Sequence, residues 1–341
     1  MGFRSIVIEG GDQIGKGDVT HYLLRSFPDK NINIFKISFP MYSTPFGYIV
    51  RKTLKKGFSE IKEVKNIIGT RREIELRMIT YAFNRLEALE SILRRLDGKD
   101  AYFLLDRSPY SSALTISYGL GGLKSIKKNE VRNLIELGLS FEQPFINILN
   151  TKECILHLMA DFGETGWKRS RTDGDLYEVK DIQEVADDVY AEIANIVGEG
   201  WNRIYTKENG EFRNRVNIYK EVDKVINALS YNSKGNGSSS IYDVLEVAED
   251  VYNVKLSNLE SYKRYFKNIE EDSNEKNKET YELACEIADY TVKNCDNVIF
   301  ENKEVKNNAK KLLDLYPEMF ILLNYHFGNE FTQKIKEGIY G

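Results

Sequence analysis

Cysteine is scarce in this sequence: three residues in 341, Cys154, Cys285 and Cys295, far apart and without metal-ligand spacing. A disulfide framework and a cysteine zinc site are excluded, and reduced, mostly buried thiols are expected. Long apolar runs are missing as well; none approaches the ~20 residues of a membrane span. There is no excess of basic charge. The net charge of −4 gives no global positive field to attract nucleic acid or an anionic membrane. The first strand begins almost at Met1, leaving no room for a signal peptide, and Ile6 stands where a myristoylation signal needs Ser or Thr. A cytoplasmic protein with small-molecule partners is the expectation. No internal repeat is visible.

What the chain does have is ordinary globular composition, 42% apolar, over a length that suits two domains or one enlarged domain. Short apolar runs at Arg4–Glu9, Ile34–Phe39, Tyr102–Asp106, Cys154–Met159 and Asn202–Tyr205 alternate with helical patterns, the longest from Arg72 to Leu96. Strands alternating with helices imply an α/β fold, a parallel five-stranded sheet flanked by helices, over residues 1–230. Ligands of such sheets bind at the carboxyl ends of the strands, where Glu9, Phe39-Pro40 and Asp106-Arg107 converge. A Gly/Ser/Asn-rich stretch at 231–240 reads as a linker. Beyond it, Ile241–Val251, Leu256–Ile269, Lys278–Asn294 and Glu304–Phe331 carry helical spacing, so residues 241–341 form an all-α module. Its expected role is added core, or a cover that strengthens a dimer.

The most specific signal is near the start. A buried strand runs into Gly10-Gly11-Asp12-Gln13-Ile14-Gly15-Lys16-Gly17-Asp18, and a helical pattern follows from Val19. The spacing Gly10-x-x-x-x-Gly15-Lys16 fits a phosphate-binding loop up to its last place, where Gly17 replaces Ser or Thr. Glycines let successive N–H groups turn inward. The helix start adds its positive end, and Lys16 adds a full charge, so a nucleoside triphosphate is the expected ligand. The absent hydroxyl normally ligates Mg²⁺. Water can take its place in the ion's octahedral shell, with Asp106 acting through water and Asp18 as a second candidate.

Further motifs follow in order: Phe39-Pro40-x-x-Ser43-Thr44-Pro45-Phe46-Gly47 with Ile49-x-Arg51; Tyr81-Ala-Phe-Asn84-Arg85-Leu-Glu87; Asp106-Arg107-Ser-Pro-Tyr-Ser111; Arg169 and Arg171; then Asp175-x-Tyr177-Glu178 and Gln183. Together with Glu9-Gly10-x-Asp12-x-x-Gly15-Lys16, these resemble the thymidylate kinases, P-loop nucleoside monophosphate kinases, over roughly residues 3–228. The resemblance does not reach the helical tail. It implies transfer of the γ-phosphoryl group of ATP to dTMP, with Mg²⁺. It also implies a mobile lid at about 162–178 and a dimer formed through helices beside the sheet.

By that resemblance Lys16 and the loop amides cradle the donor phosphates, and Arg107 bridges donor and acceptor phosphates with its fork of donors. Tyr81 and Arg85, four apart on one helix face, stack on the pyrimidine and bond its edge. Asp12, Phe39, Pro40, Tyr42, Arg51, Ser111 and Tyr177 complete the acceptor site. Gln13 stands where some members carry an arginine, so Arg169 and Arg171 of the lid are expected to neutralise the transferring group. Tyr42 stands where an arginine usually grips the monophosphate, and Ser108 replaces the tyrosine of the Asp-Arg-Tyr signature. A kinase for another (deoxy)nucleoside monophosphate or a deoxynucleoside is the alternative enzyme. A nucleotide-binding regulator is the non-enzymatic alternative.

Overall fold

A computed structural model describes residues 3–26, 33–42, 44–96, 101–161, 176–229 and 300–341. Six strands form one sheet in the order β2-β3-β1-β4-β5-β6: β1 Phe3–Glu9, β2 Asn33–Ser38, β3 Ala101–Asp106, β4 Cys154–Ala160, β5 Trp201–Glu208 and β6 Glu211–Phe212. The first five run parallel, as their helical connections require. Successive side chains point to opposite faces, and both faces are covered. Val7, Phe35, Ile37, Phe103 and Leu105 enter the larger core, while Ile6, Ile8, Leu104, Leu156 and Leu158 enter the smaller one. Cys154 is free and buried in the smaller core; Cys285 and Cys295 lie outside the described residues.

The sixth strand extends the five expected from the hydrophobic runs. It pairs antiparallel with β5 through Lys207↔Phe212 and Glu208↔Glu211. The two linking residues, Asn209 and Gly210, both have positive φ (50° and 83°), the backbone that a tight Asn-Gly hairpin needs.

Helix α1 (Lys16–Ser26) and helix α8 (Arg215–Ala228) cover the smaller core. On the other face lie α2 (Pro45–Lys56), α3 (Arg71–Arg95), α4 (Ser112–Ser117), α5 (Val131–Phe141), α6 (Gln143–Ile148) and α7 (Lys180–Val197). Thr44 caps α2, its Oγ1 accepting from Gly47 N at 3.2 Å, with Pro45 in the first turn. Gly47 is required there, because a Cβ would stand 1.8 Å from the Met41 carbonyl oxygen. That close approach packs the first turn of α2 on the segment after β2, which Asn84 of α3 holds by accepting from Met41 N at 2.8 Å and donating to Met41 O at 3.0 Å.

The described tail contains α9 (Lys303–Leu315) and α10 (Glu318–Tyr340). The sequence pattern ran as one helix from Glu304 to Phe331. The structure breaks it before Pro317, whose ring cannot continue a helix, and bends it again at Gly328 (φ 84°). Both helices add to the larger core through Val305, Leu312, Met319, Leu323 and Ile335. Arg72 on α3 bonds Glu318 at 2.8 Å and lies 3.9 Å above the Tyr316 ring. Glu90 accepts from the backbone N–H groups of Glu301 and Asn302 at 3.0 and 3.1 Å. The described tail is thus clamped along the outer side of α3. No helix among the described residues is long and apolar enough to cross a membrane.

Candidate functional site: a glycine loop beside a pocket

The loop between β1 and α1 carries positive φ at Gly10 (130°), Gln13 (62°) and Gly15 (87°), so the backbone curls at the carboxyl edge of the sheet. Gly10 also has no room for a side chain, since a Cβ would stand 2.3 Å from the Leu158 carbonyl oxygen. Lys16, the first residue of α1, folds back over the loop and donates to the carbonyls of Gly11 and Gly10. Burial, followed by the neighbouring Arg107 charge, lowers its pKa from 10.5 to about 8.

Arg107 follows the last residue of β3 with a positive φ of 69°. Its N–H donates to Ile8 O at 3.0 Å, fixing it against the end of β1. The guanidinium forms an ion pair with Asp12 of the loop, and the Lys16 ammonium lies 3.9 Å from the same carboxylate. Burial would raise Asp12, but Arg107 and Lys16 outweigh it and hold the carboxyl below its ordinary value. Gln183 of α7 completes the knot. It accepts from Asp12 N at 2.9 Å and donates to Asp12 Oδ2 at 3.2 Å and to Tyr177 O at 3.0 Å.

Glu9, fully buried at the end of β1, accepts hydrogen bonds from Ser108 (2.6 Å), Ser111 (2.8 Å) and Tyr190 (3.0 Å). Burial raises its pKa against the pull of these donors. The group ties the Asp106–Ser111 segment to the strand feeding the glycine loop. Asp106 stands beside it with Oδ1 buried and without a hydrogen-bond partner.

A cavity of about 290 Å³ opens next to the loop, at the small end of the range for ligand clefts. Asp12 and Arg107 form its loop side; Phe39, Pro40, Tyr42, Tyr81, Arg85, Ser111 and Tyr177 line the rest with Met78, Leu114 and Glu142. The pocket therefore gathers every acceptor residue expected from sequence except Arg51. That residue lies on α2 and is not part of the pocket lining. Two hydroxyls of the wall, Ser38 Oγ and Ser112 Oγ, are buried without hydrogen-bond partners.

Arg85 differs in one respect from the expectation. Its Nε and Nη2 are bonded to Glu142, in a pair whose side chains are 4% and 3% exposed. Nη1 is the nitrogen left for a ligand. The guanidinium lies 5.9 Å from the Tyr81 ring centroid and 5.8 Å from that of Phe39. Sequence reasoning missed Glu142 altogether and gave Gln183 no contact. No local spacing announces a partner 57 positions away.

Among the described residues, no group of three or more His, Cys, Asp or Glu is placed to hold a metal. Asp18 forms an ion pair with Arg215 of α8 at 3.0 Å. Nothing lies within 4 Å of where a Cβ on Gly17 would stand. Arg169, Arg171, Asp175 and the rest of 162–175 lie outside the described residues, so the expected lid does too.

No family model matches the chain, and no curated protein matches it. Among solved structures, a thymidylate kinase from Candida albicans aligns with 66% of this chain and 92% of its own, at 18% identity and a TM-score of 0.44. A likeness of that size says nothing of substrate.

Proposed function

We propose that this chain is a P-loop nucleoside monophosphate kinase that transfers the γ-phosphoryl group of ATP to dTMP, giving dTDP and ADP. The observation that carries the reading is the position of Arg107. One side chain is paired with Asp12 of the phosphate loop and also lines the pocket beside it. Phosphoryl transfer needs two anionic ends held in line and their charge neutralised. A half-buried guanidinium between the glycine loop and the pocket can serve both ends with a rigid fork of donors.

On this reading Lys16 and the loop amides hold the donor β- and γ-phosphates. Lys16 is fully charged when phosphates replace the carbonyls it now caps, because the anion reverses its lowered pKa. Tyr81 supplies a ring face to the pyrimidine, and Arg85, steadied by Glu142, presents Nη1 to its edge. Tyr42 offers a hydroxyl where the acceptor phosphate would lie. Arg169 and Arg171 are the candidates for charge over the transferring group.

The residues also fit Mg²⁺. An orphaned carboxylate oxygen on Asp106 at the strand end beside the loop suits an ion bound chiefly by phosphates and waters. When bound, that ion neutralises charge on the donor phosphates. Asp106 would hold waters of its shell, and the open space at Gly17 leaves room for one more.

The experiment is a coupled ADP-release assay on the purified chain with ATP, Mg²⁺ and a panel of acceptors. dTMP should support the fastest turnover. Turnover of thymidine without dTMP would move the reading to the nucleoside kinases. ATP binding with no turnover of any acceptor would replace the enzyme by a nucleotide-binding regulator.

A further inference from the structure

The β5–β6 hairpin places an aromatic ring where the fold has no use for one. Phe212, on a two-residue edge strand, is 58% exposed. Yet its ring edge, Cε1, lies 3.4 Å from where a Cβ on Gly15 of the phosphate loop would stand. The ring does not hang free. Lys207, its partner across the ladder, sets its ammonium 4.4 Å from the ring centroid. Val216, in the first turn of α8, is 57% exposed four residues further on. Burying neither, the fold leaves the Phe212 ring exposed at the edge of the loop that would hold a triphosphate.

We propose that Phe212 is the platform on which the base of the nucleoside triphosphate donor stacks, and that the protein accepts purine donors with little regard to their exocyclic groups. The proposal rests on reading Gly10–Gly17 as the donor phosphate site. A donor base lies one ribose beyond the α-phosphate, so its receiver belongs at the rim of the loop rather than inside it. The hairpin and the start of α1 form that rim. Stacking on an aromatic face suits any base, because every base has a π-face.

Discrimination between purines would need polar groups free to read the base edge. The charged groups here are engaged with one another: Arg215 with Asp18 at 3.0 Å, and Arg213 with Glu221 at 2.7 Å and with Tyr205 O. A stacking platform with these charges engaged would hold the base by its face rather than by its edge.

Equilibrium binding of ATP, GTP and inorganic tripolyphosphate to the full chain tests this. ATP and GTP should bind within tenfold of each other. Phe212→Ala should weaken both by about tenfold and leave tripolyphosphate unchanged, while Phe212→Trp should keep the wild-type affinities. If Phe212→Ala binds ATP as wild type does, while Lys16→Ala abolishes binding, the platform is wrong and the loop reading stands. Equal loss of tripolyphosphate, or a purine preference beyond tenfold, also overturns the proposal. A wild-type chain that binds neither ATP nor tripolyphosphate overturns both the platform and the kinase reading.

Discussion

Arg85 and Glu142 form a buried bidentate ion pair in the wall of the pocket, joining α3 to the corner between α5 and α6. Removing one partner would leave the other charge buried and alone. Glu142→Ala should therefore lower stability by about 3–5 kcal/mol, read from denaturant midpoints. The double variant Arg85→Met with Glu142→Leu should recover most of that loss and still bind dTMP poorly. Equal midpoints for wild type, single and double variants would show that the pair does not fasten this wall.

Lys16 sets a pH dependence. Burial and then Arg107 lower its pKa to about 8 from 10.5, so between those values the unfolded chain holds more protons than the folded one. The burial cost is full below the lower value and fades above it. This residue's contribution to stability should therefore rise with pH across that window. Bound donor phosphates should raise the pKa again, so ATP binding at about pH 9 should take up a proton. Calorimetry in buffers of different ionisation enthalpy reads that uptake directly, and heats independent of buffer would count against it.

Asp106 and Gly17 bear on the metal. The orphaned oxygen of Asp106 should organise Mg²⁺ and its waters, so Asp106→Asn should raise the Mg²⁺ concentration needed for half-maximal activity. The space at Gly17 admits a side chain, so Gly17→Ser should keep or lower that requirement. Asp18→Asn should do less than Asp106→Asn, since Asp18 is occupied by Arg215. The reverse order in a Mg²⁺ titration of activity would make Asp18 the ion's carboxylate.

The lid arginines should act on kcat. On the proposed reading, Gln13 carries no charge, so Arg169 or Arg171 would supply it over the transferring group. Replacing the responsible one by Ala should lower kcat about a hundredfold, roughly 3 kcal/mol, with little change in KM. Full activity in both single variants and in the double variant would sink this assignment.

Much of the loop and of the pocket lining was legible because close neighbours in the chain are read locally. Gly10, Gly15 and Lys16 lie within one short stretch of chain, and their spacing alone describes a turn that backbone sterics then enforce. Tyr81 and Arg85 share a helix face for the same reason. The hairpin carried its own sign in Asn209-Gly210, but two paired residues are too few for hydrophobic alternation to reveal a strand. Glu142 and the orphaned hydroxyls of Ser38 and Ser112 gave no sign at all, and Gln183 stood in a motif without its contacts being legible.

The sequence by itself determined the alternation of strands and helices, the curled glycine loop and the polar residues at the strand ends. Each follows from interactions within a few residues: side-chain period, glycine dihedrals and helix capping. Tertiary structure alone decided that Arg85 is tied to Glu142, that Gln183 joins Asp12 to Tyr177, and that the end of the tail clamps α3. Those contacts join residues far apart in the chain. Their partners are chosen by which buried charge or amide lies within hydrogen-bond reach once the layers have packed, and burial makes an unpaired one too costly to leave.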